Sequence, residues 1–225
     1  MPTALITGAS KGLGRALALA LAERGWTLIL DARGAAALEA VARELPDAIA
    51  VPGDVTNPLH RKALVAAVGE RGRLSLLANN ASYLGPSPMP SLAEYPLDEL
   101  ARVYEVDVIA PLALIQQALP LFAEHAAVLN ISSDAAVEPY AGWGGYGSAK
   151  AALDHLSAIL AAERPELSVY AVDPGDMRTE MHQAAFPGED ISDRPEPETV
   201  VPGLLRLLDE RPPSGRYRAQ ALEPA

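Results

Sequence analysis

A tyrosine and a lysine four residues apart are the strongest chemical feature of this sequence. Tyr146 and Lys150 lie in the stretch Gly145–Ala152, which is typical of a helix start, and their spacing places both side chains on one helical face. An ammonium group beside a phenol favours the phenolate, so we expect Lys150 to lower the pKa of Tyr146 below its ordinary value of about 10. Such a phenol could transfer protons near neutral pH. Alone, the pair is more typical of a solvated helix surface, and the surrounding elements must decide.

A glycine-rich turn near the start of the chain predicts a dinucleotide site. The segment Thr7–Gly14 follows a short apolar run and opens the first predicted helix. Gly8 permits a tight turn, Gly12 lets the backbone approach a pyrophosphate, and Gly14 lets the helix pack against the strand. The free N–H groups at the helix start attract phosphates.

Short apolar runs alternate with helical patterns along the chain. This order predicts an α/β fold, a single Rossmann domain over residues 1–225 with a doubly wound parallel sheet of about seven strands. The runs are apolar without alternation, as in strands buried on both faces. Predicted strands are Ala4–Thr7, Thr27–Ala32, Ala48–Val51, Leu74–Ala78, Val128–Ser132, Ser168–Val172 and a weak one near Tyr217. Predicted helices are Gly12–Arg24, Ala35–Leu45, Pro58–Arg71, Leu97–Leu119, Tyr146–Ala162 and Pro197–Asp209.

Composition limits the classes of protein and of site. The 225 residues are 49% hydrophobic and 21% charged, and the net charge of -11 argues against nucleic acid or an anionic membrane as partner. Without cysteine there is no disulfide or thiolate metal site, and the four histidines lack a ligand spacing with acids, so no metal is expected. No apolar run reaches the roughly 20 residues that span a bilayer, and Met1–Thr3 shows no signal peptide, so we expect a cytoplasmic protein.

Five motifs together resemble the short-chain dehydrogenases/reductases (SDR). They are Thr7–Gly14, Asn79–Ala81, Asn130–Ser133, the Tyr/Lys pair and Pro174–Gly175, in family order over about residues 3–180. The resemblance implies the Rossmann fold and a nicotinamide cofactor. The stretches Pro139–Trp143 and Asp173–Gly175 further resemble the sepiapterin-reductase and benzil-reductase branch, which reduces vicinal dicarbonyls with NADPH. Residues 214–225 offer no clear acidic pterin anchor, which disfavours sepiapterin itself.

The resemblance also indicates the cofactor. The family position of the NAD-selecting acid falls on Ala32, and the next residue, Arg33, fits the 2′-phosphate of NADP, with Lys11 as a second cation. We expect NADP(H) as the preferred cofactor and NAD(H) as the alternative, in which both cations are solvated and Asp31 selects NAD. Asp54 would bond the adenine amine or cap the next helix. The predicted cofactor-binding residues are Gly8, Ser10, Lys11, Gly12, Leu13, Gly14, Arg33, Asp54, Val55, Asn80, Ala81, Tyr146, Lys150, Pro174, Gly175, Met177 and Thr179.

By the same resemblance, Ser133, Tyr146 and Lys150 carry the chemistry. Ser133, thirteen residues before the tyrosine, would polarise the substrate carbonyl. Tyr146 would transfer the proton, and Lys150 would hold the ribose hydroxyls and keep the tyrosine acidic. The alternative for Ser133 is a serine that caps the backbone of a turn. The adjacent Ser132 could be mistaken for the catalytic serine, but we expect it to be structural.

Two positions depart from the family pattern. The family's Asn-Asn-Ala-Gly reads Asn79–Ser82 here, and Asp107 stands where the family carries a catalytic Asn. Pro111 has no N–H for the Asp107 carbonyl, so we expect a kinked helix that leaves this carbonyl free to hold a relaying water. The Asp107 carboxylate could instead pair with Lys150 and weaken its effect on Tyr146.

Apolar side chains near the predicted site favour a small or medium ketone, aldehyde or diketone as substrate. Trp143 lines this pocket or packs on a neighbouring helix, and His182 lies at its mouth or on a surface loop. Substrate loops are predicted at about 83–96 and 180–195, and they hold Tyr83, Leu84, Met89, Met181 and Phe186.

Two helices carry more apolar surface than one core-facing stripe requires. In SDR proteins the corresponding helices pair with their twofold mates, so we expect a homodimer or homotetramer; in the alternative, these residues all face the sheet. The residues are Leu112, Leu114, Ile115, Leu119, Leu153, Leu156, Ile159 and Leu160.

The sequence therefore predicts an NADP(H)-dependent carbonyl reductase or alcohol dehydrogenase acting on a small carbonyl or alcohol substrate. Its predicted catalytic residues are Ser133, Tyr146, Lys150 and Asp107. The alternative from a different class is a dinucleotide-sensing regulatory or binding protein on the same fold, which has lost catalysis.

Overall fold

A seven-stranded sheet forms the centre of the computed structural model, which describes residues 1–222. Every neighbouring pair is parallel, and the strand order is β3-β2-β1-β4-β5-β6-β7. The order reverses between β1 and β4, which opens a crevice at the carboxyl ends of these strands. The predicted doubly wound Rossmann fold is confirmed. The strands are β1 (Thr3–Ile6), β2 (Thr27–Ala32), β3 (Ala48–Pro52), β4 (Leu74–Asn79), β5 (Phe122–Ile131), β6 (Ser168–Asp173) and β7 (Gly215–Arg218).

Helices cover both faces of the sheet. Those on one face are α1 (Gly12–Glu23), α2 (Ala35–Glu44) and α8 (Val201–Glu210), and those on the other include α3 (Pro58–Arg71) and α5 (Ala110–Ala118). The remaining helices are α4 (Leu97–Tyr104), α6 (Gly144–Glu163) and α7 (Glu180–Ala185). Because the strands are apolar on both faces, each helix layer buries its own hydrophobic cluster against them. Within residues 1–222, no helix is both long and apolar enough to cross a membrane.

The single long helix predicted over Leu97–Leu119 is wrong in its middle. A π-helical segment, Glu105–Ile109, separates α4 from α5, and the backbone N–H of Ala110 bonds the carbonyl of Glu105, five residues back. Pro111 follows directly and has no N–H to donate, so the ordinary helical ladder cannot run through this point. The widened turn carries Asp107, which is fully buried.

Two other boundaries differ from the sequence prediction. Strand β5 begins at Phe122, six residues before the predicted start, and its pairing with β4 shifts register after Phe122, around the polar residues Glu124 and His125. Helix α7 lies inside the stretch predicted as a substrate loop and begins where the Thr179 side chain accepts a hydrogen bond from the His182 N–H. Neither the start of β5 nor helix α7 has a periodic apolar pattern, so the sequence did not indicate these two boundaries.

Candidate active site

The glycine turn is held from below by two side chains. Thr7 Oγ1 accepts the N–H groups of Asn80 and Ala81, each at 3.0 Å, and the Asn80 amide donates to the carbonyls of Thr7 and Gly8 at 2.9 and 3.2 Å. A Cβ on Gly14 would lie 2.4 Å from the Gly8 carbonyl oxygen, so only glycine allows this close approach. The Asn80 side chain therefore stabilises the conformation of the glycine turn.

The N-terminus of α1 is open to an anion. Its N-cap residue, Lys11, makes no side-chain capping bond, so no capping side chain accepts hydrogen bonds from the first N–H groups of this helix. Ser10 and Leu13 flank this helix start. The glycine cradle and the uncapped helix start fit a pyrophosphate.

The segment after β6 closes over the same turn. The Thr179 methyl carbon lies 3.6 Å from the position that a Gly12 Cβ would occupy, and Lys11 forms an ion pair with Glu180. Lys11, predicted as a second cation for a 2′-phosphate, thus ties the glycine turn to α7. Pro174 and Gly175 lead into this segment, and Met177 packs against the core beneath it.

Two residues at the carboxyl end of β2, Asp31 and Arg33, are the candidates for distinguishing NAD from NADP at the adenosine ribose. Arg33 is exposed and forms no ion pair or hydrogen bond with another residue in the described part of the chain. Asp31 is buried, and its carboxylate lies 2.6 Å from Nε2 of His60, which comes from α3. Burial raises the pKa of Asp31, and the contact with His60 opposes that rise. The buried carboxylate is committed to His60 and not presented to a ribose.

Asp54 and Val55 follow β3 at the same edge of the sheet. Asp54 Oδ1 accepts the N–H and the hydroxyl of Thr56 at 2.9 and 2.8 Å, which makes a local turn. The alternative that Asp54 caps α3 is wrong, because the cap is Asn57, whose side chain accepts the N–H of Leu59. Val55 is buried beside this turn.

Helix α6 is fixed on the sheet by a buried polar chain. The Asn79 amide donates to Asn130 at 2.8 Å, and the Asn130 amide donates to Ser157 Oγ at 2.8 Å. Ser157 in turn donates to the carbonyl of Leu153. These interior bonds set the position of α6 against β4 and β5, and thereby the position of its reactive first turns.

Lys150 is buried and paired with Asp107. Its Nζ donates to the Ile131 carbonyl at 2.9 Å and lies 2.9 Å from Asp107 Oδ1. Burial lowers the pKa of Lys150, but the charges of Asp107 and Tyr146 outweigh it and hold the pKa above its ordinary value. The alternative weighed for this position, a carboxylate that pairs with the lysine, is the arrangement observed.

The direction predicted for the Tyr146 pKa is wrong. Lys150 Nζ lies 5.3 Å from the centre of the Tyr146 ring and does favour the phenolate. Burial of the phenol is the larger effect, and the Asp107 carboxylate adds to it, so the pKa of Tyr146 is raised. The prediction considered the lysine alone and left out both the burial of the phenol and the Asp107 carboxylate.

Ser133 lies between β5 and α6 and serves as a cap. Its Oγ accepts the Ala135 N–H at 3.1 Å and donates to Asp134 Oδ1 at 3.0 Å. The capping role weighed for this serine is therefore present. Arg216 of β7 supports the turn by donating to the Ser133 carbonyl at 2.9 Å and to Asp154 at 2.9 Å.

Comparison with known proteins agrees with this geometry. Residues 2–190 match the family described as short chain dehydrogenase. The chain belongs to this family. Its relatives include sepiapterin reductase of Mus musculus, 34% identical over 80% of this chain and 76% of that protein. Another is the (S)-benzoin-forming benzil reductase of Saccharomyces cerevisiae, 33% identical over 92% of this chain and 81% of that protein. A short chain dehydrogenase from Escherichia coli CFT073 complexed with NADPH superposes with a TM-score of 0.89, 29% identity, and coverage of 97% of this chain and 96% of that one.

An aromatic cluster covers Tyr146 in this short chain dehydrogenase. The Trp143 ring lies 6.0 Å from that of Tyr146 and 5.9 Å from that of Phe186, and the His182 ring lies 4.9 Å from Phe186. The His182 side chain is only 9% exposed, so the surface-loop alternative for it is wrong. Both predicted substrate loops reach this cluster, with Leu84, Met89, Met181, Ala184 and Ala185.

Sequence reasoning missed three residues of this short chain dehydrogenase site. His60 is one of the four histidines without a ligand spacing, and Arg216 lies in the weak strand predicted near Tyr217, so no spacing signal indicates either residue. Ser82 is visible in the sequence only as a departure from the family motif, but its hydroxyl donates to Asp107. Its polarity beside a family motif was the available signal.

Proposed function

We propose that this short chain dehydrogenase is an NADP(H)-dependent oxidoreductase that interconverts a carbonyl compound and its alcohol. The observation that carries the proposal is the placement of Tyr146 and Lys150. They lie on the helix packed against the carboxyl ends of β4 and β5, next to a glycine turn fitted to a pyrophosphate and under an aromatic cluster. A proton donor, a cofactor cradle and an aromatic cluster meet there.

Each residue of the site has a separate role in the proposed reaction. The turn Gly8–Gly14 and the start of α1 would hold the pyrophosphate, and Arg33 would hold the 2′-phosphate. When bound, NADPH supplies the hydride. Ser133 donates its hydroxyl to the substrate oxygen after leaving Asp134, and Tyr146 donates the phenolic proton to the same oxygen. Lys150 keeps a positive charge beside the phenol and binds the ribose hydroxyls.

The choice of NADP over NAD is supported by two residues at the carboxyl end of β2. Arg33 is free to meet a phosphate, and the carboxylate that would prefer a ribose hydroxyl, Asp31, is buried against His60. The NADPH complex of the similar Escherichia coli protein agrees with this assignment.

The proposed substrate class is supported by the aromatic cluster and by two relatives. Trp143, Phe186 and their apolar neighbours suit a ketone, aldehyde or diketone with an apolar or aromatic group. Benzil reductase and sepiapterin reductase are among the similar proteins, so vicinal diketones are the first compounds to test.

A steady-state screen tests the proposal. NADPH oxidation is followed at 340 nm with aromatic and aliphatic ketones, aldehydes and diketones, and Tyr146→Phe serves as the inactive control. We expect turnover of at least one apolar diketone by the wild type and almost none by the variant. Equal rates for the two proteins, or no turnover with any compound, would contradict the proposal.

One observation favours a second function, a dinucleotide-binding protein without catalysis. The Asp107 carboxylate offsets the charge of Lys150 and, after burial, is a further cause of the raised pKa of Tyr146, which opposes release of the phenolic proton. This function requires NADPH binding, measured by quenching of nicotinamide fluorescence, with no turnover across the screen. The intact set of Ser133, Tyr146 and Lys150 makes the reductase the stronger proposal.

We further propose a cytoplasmic homodimer or homotetramer with a small-molecule partner only. Of the eight apolar residues predicted for the contact, Leu114, Ile115 and Leu153 are buried in the monomer, and the other five keep exposed surface. A groove between α5 and α6 is lined by Leu112, Leu156 and Leu160, and Ile159 is 42% exposed beside it. The net charge of -11 disfavours nucleic acid and anionic membranes.

A further inference from the structure

Arg216 belongs to the edge strand β7, but its side chain reaches the end of β5, two strands away. It stands opposite Ala171 of β6, which stands opposite Asn130 of β5. The Asn130 side chain bonds Ser157 of α6, so this row of residues faces α6. Nη2 of Arg216 donates to the Ser133 carbonyl at 2.9 Å. Because Ala171 is short, it leaves room for the guanidinium to cross β6 to that turn.

The Arg216 guanidinium also contacts two further elements of the site. Nε donates at 2.9 Å to Oδ2 of Asp154, which lies on the same helix as Tyr146. Nη2 lies 3.5 Å from Oδ2 of Asp173 at the end of β6, and the other Asp173 oxygen accepts the Gly175 N–H at 3.0 Å. The side chains of the two aspartates are only 14% and 5% exposed, so water screens these contacts little.

These contacts hold the backbone turn that carries Ser133. Its carbonyl accepts the Ala136 N–H at 3.1 Å from within the turn and Arg216 from outside it. A Cβ on Gly147 of α6 would lie 2.6 Å from the Ala135 carbonyl oxygen, so α6 packs directly on the same turn. A shift of the turn against α6 would therefore change the distance between the serine hydroxyl and the phenol on that helix.

We propose, on the basis of the reductase function above, that Arg216 is a positioning residue that acts through Ser133. Its guanidinium clamps the serine turn to α6 at Asp154, so that the serine hydroxyl and the Tyr146 phenol meet the same substrate oxygen. A planar guanidinium has donors in fixed directions and can bind a carbonyl and a carboxylate at once. Arg216 supplies no proton and affects the rate only through this geometry.

Two variants of Arg216 and a matched control test the clamp. Arg216→Ala removes the guanidinium, whereas Arg216→Lys keeps a positive charge beside both aspartates and so protects folding, but lacks the planar set of donors. Because a small misplacement of a reacting group can cost about 100-fold, we expect both variants to lower kcat by about 10- to 100-fold with an unchanged Kd for NADPH. Arg218→Ala is the control: Arg218 lies on the same strand, 3.8 Å from the same Asp173 oxygen, and is 61% exposed. Its kcat should match the wild type.

Two readouts separate positioning through Ser133 from a general loss of stability. In a Ser133→Ala background the hydroxyl is already absent, so adding Arg216→Lys should lower kcat no further, whereas independent effects would multiply. Guanidinium ion, added at a concentration that does not denature the protein, should restore part of the kcat lost in Arg216→Ala. The same addition should not raise the kcat of Ser133→Ala, because its missing group is the hydroxyl.

The outcomes are distinct from those that test the reductase function. A wild type that turns over no carbonyl compound overturns both proposals. An active wild type whose kcat is unchanged in Arg216→Lys overturns the positioning role alone. So does an equal loss in Arg218→Ala and Arg216→Ala, because the charge near Asp173 would then be the cause. Losses that multiply in the double variant, or an Arg216→Ala variant that guanidinium does not rescue, overturn it as well.

Discussion

Lys150 and Asp107 form a buried ion pair at the base of the site, with 2.9 Å between Nζ and Oδ1 and side-chain exposures of 3% and 0%. The pair comes from two elements, helix α6 and the π-helical segment that precedes α5. Its carboxylate compensates the charge of the lysine and therefore limits how far that charge can acidify Tyr146. The pKa of Tyr146 therefore depends on Asp107 as well as on Lys150 and on the burial of the phenol.

The first prediction concerns the pH dependence of Asp107→Asn. Reduction requires the protonated phenol, so its rate falls as pH rises through the pKa of Tyr146. Burial raises that pKa, Lys150 lowers it, and Asp107 raises it further. Removing the carboxylate leaves burial alone to oppose Lys150, so the alkaline limb of kcat/KM for reduction should move to lower pH, and oxidation of the alcohol should begin at lower pH as well.

Asp209→Asn is the control for this experiment, because it removes the same charge from an exposed residue that pairs with Arg24. Its profile should coincide with that of the wild type. An alkaline limb that stays in place or moves to higher pH in Asp107→Asn would show that Asp107 does not oppose Lys150.

The second prediction is that Tyr146→Phe separates binding from chemistry. The ring remains packed between Trp143 and Lys150, so NADPH affinity should be nearly unchanged. The phenolic proton is lost, and turnover should fall at least about 100-fold, the usual cost of removing a general acid. Titration of nicotinamide fluorescence and steady-state kinetics measure the two effects. Near-wild-type turnover on a verified substrate would refute the mechanism.

The sheet and the glycine turn could be predicted because their signals are local. The strands around Ala4–Ile6, Thr27–Ala32 and Leu74–Ala78 are mostly apolar without a regular alternation, and this pattern is typical of burial on both faces of a parallel sheet. Gly14 is required by a contact with Gly8, six residues away. Short separations of this kind are visible in a sequence.

The sequence predictions that were wrong concern features that depend on residues far apart in the chain. The pKa of Tyr146 is set in part by Asp107, and Asp107 is oriented by Ser82 and Tyr83, which no spacing rule connects. The π-helical segment arises where Pro111 interrupts the ladder, and the sequence indicates a kink there but not its form. Periodicity describes one element at a time, whereas the site is assembled from several.

The third prediction concerns cofactor choice through Arg33→Ala. Loss of a charge-assisted phosphate contact costs about 1.5–3 kcal/mol, so the Michaelis constant for NADPH should rise roughly tenfold to a hundredfold while that for NADH changes little. Steady-state kinetics with both cofactors measure the change. Equal effects on the two cofactors, or a wild type that prefers NADH, would contradict the assignment.

Two variants sharpen this result. Lys11→Ala should have a smaller effect than Arg33→Ala, because Lys11 is already paired with Glu180. Asp31→Asn should leave the ratio of the two Michaelis constants unchanged, since its carboxylate is buried 2.6 Å from His60 Nε2. A shift of that ratio in Asp31→Asn would revive Asp31 as a ribose selector.

The last prediction concerns assembly through α5 and α6. Ile159 is 42% exposed on α6, beside the groove lined by Leu112, Leu156 and Leu160, so a twofold contact at this place would bury it. Light scattering at micromolar concentration should give the wild type two or four times the chain mass of 23.6 kDa. Ile159→Glu should dissociate it, because a buried carboxylate without a partner is costly. Leu59→Glu, on α3 and 71% exposed, should leave the assembly intact. A wild type that scatters as a single 23.6 kDa chain would rule out this contact.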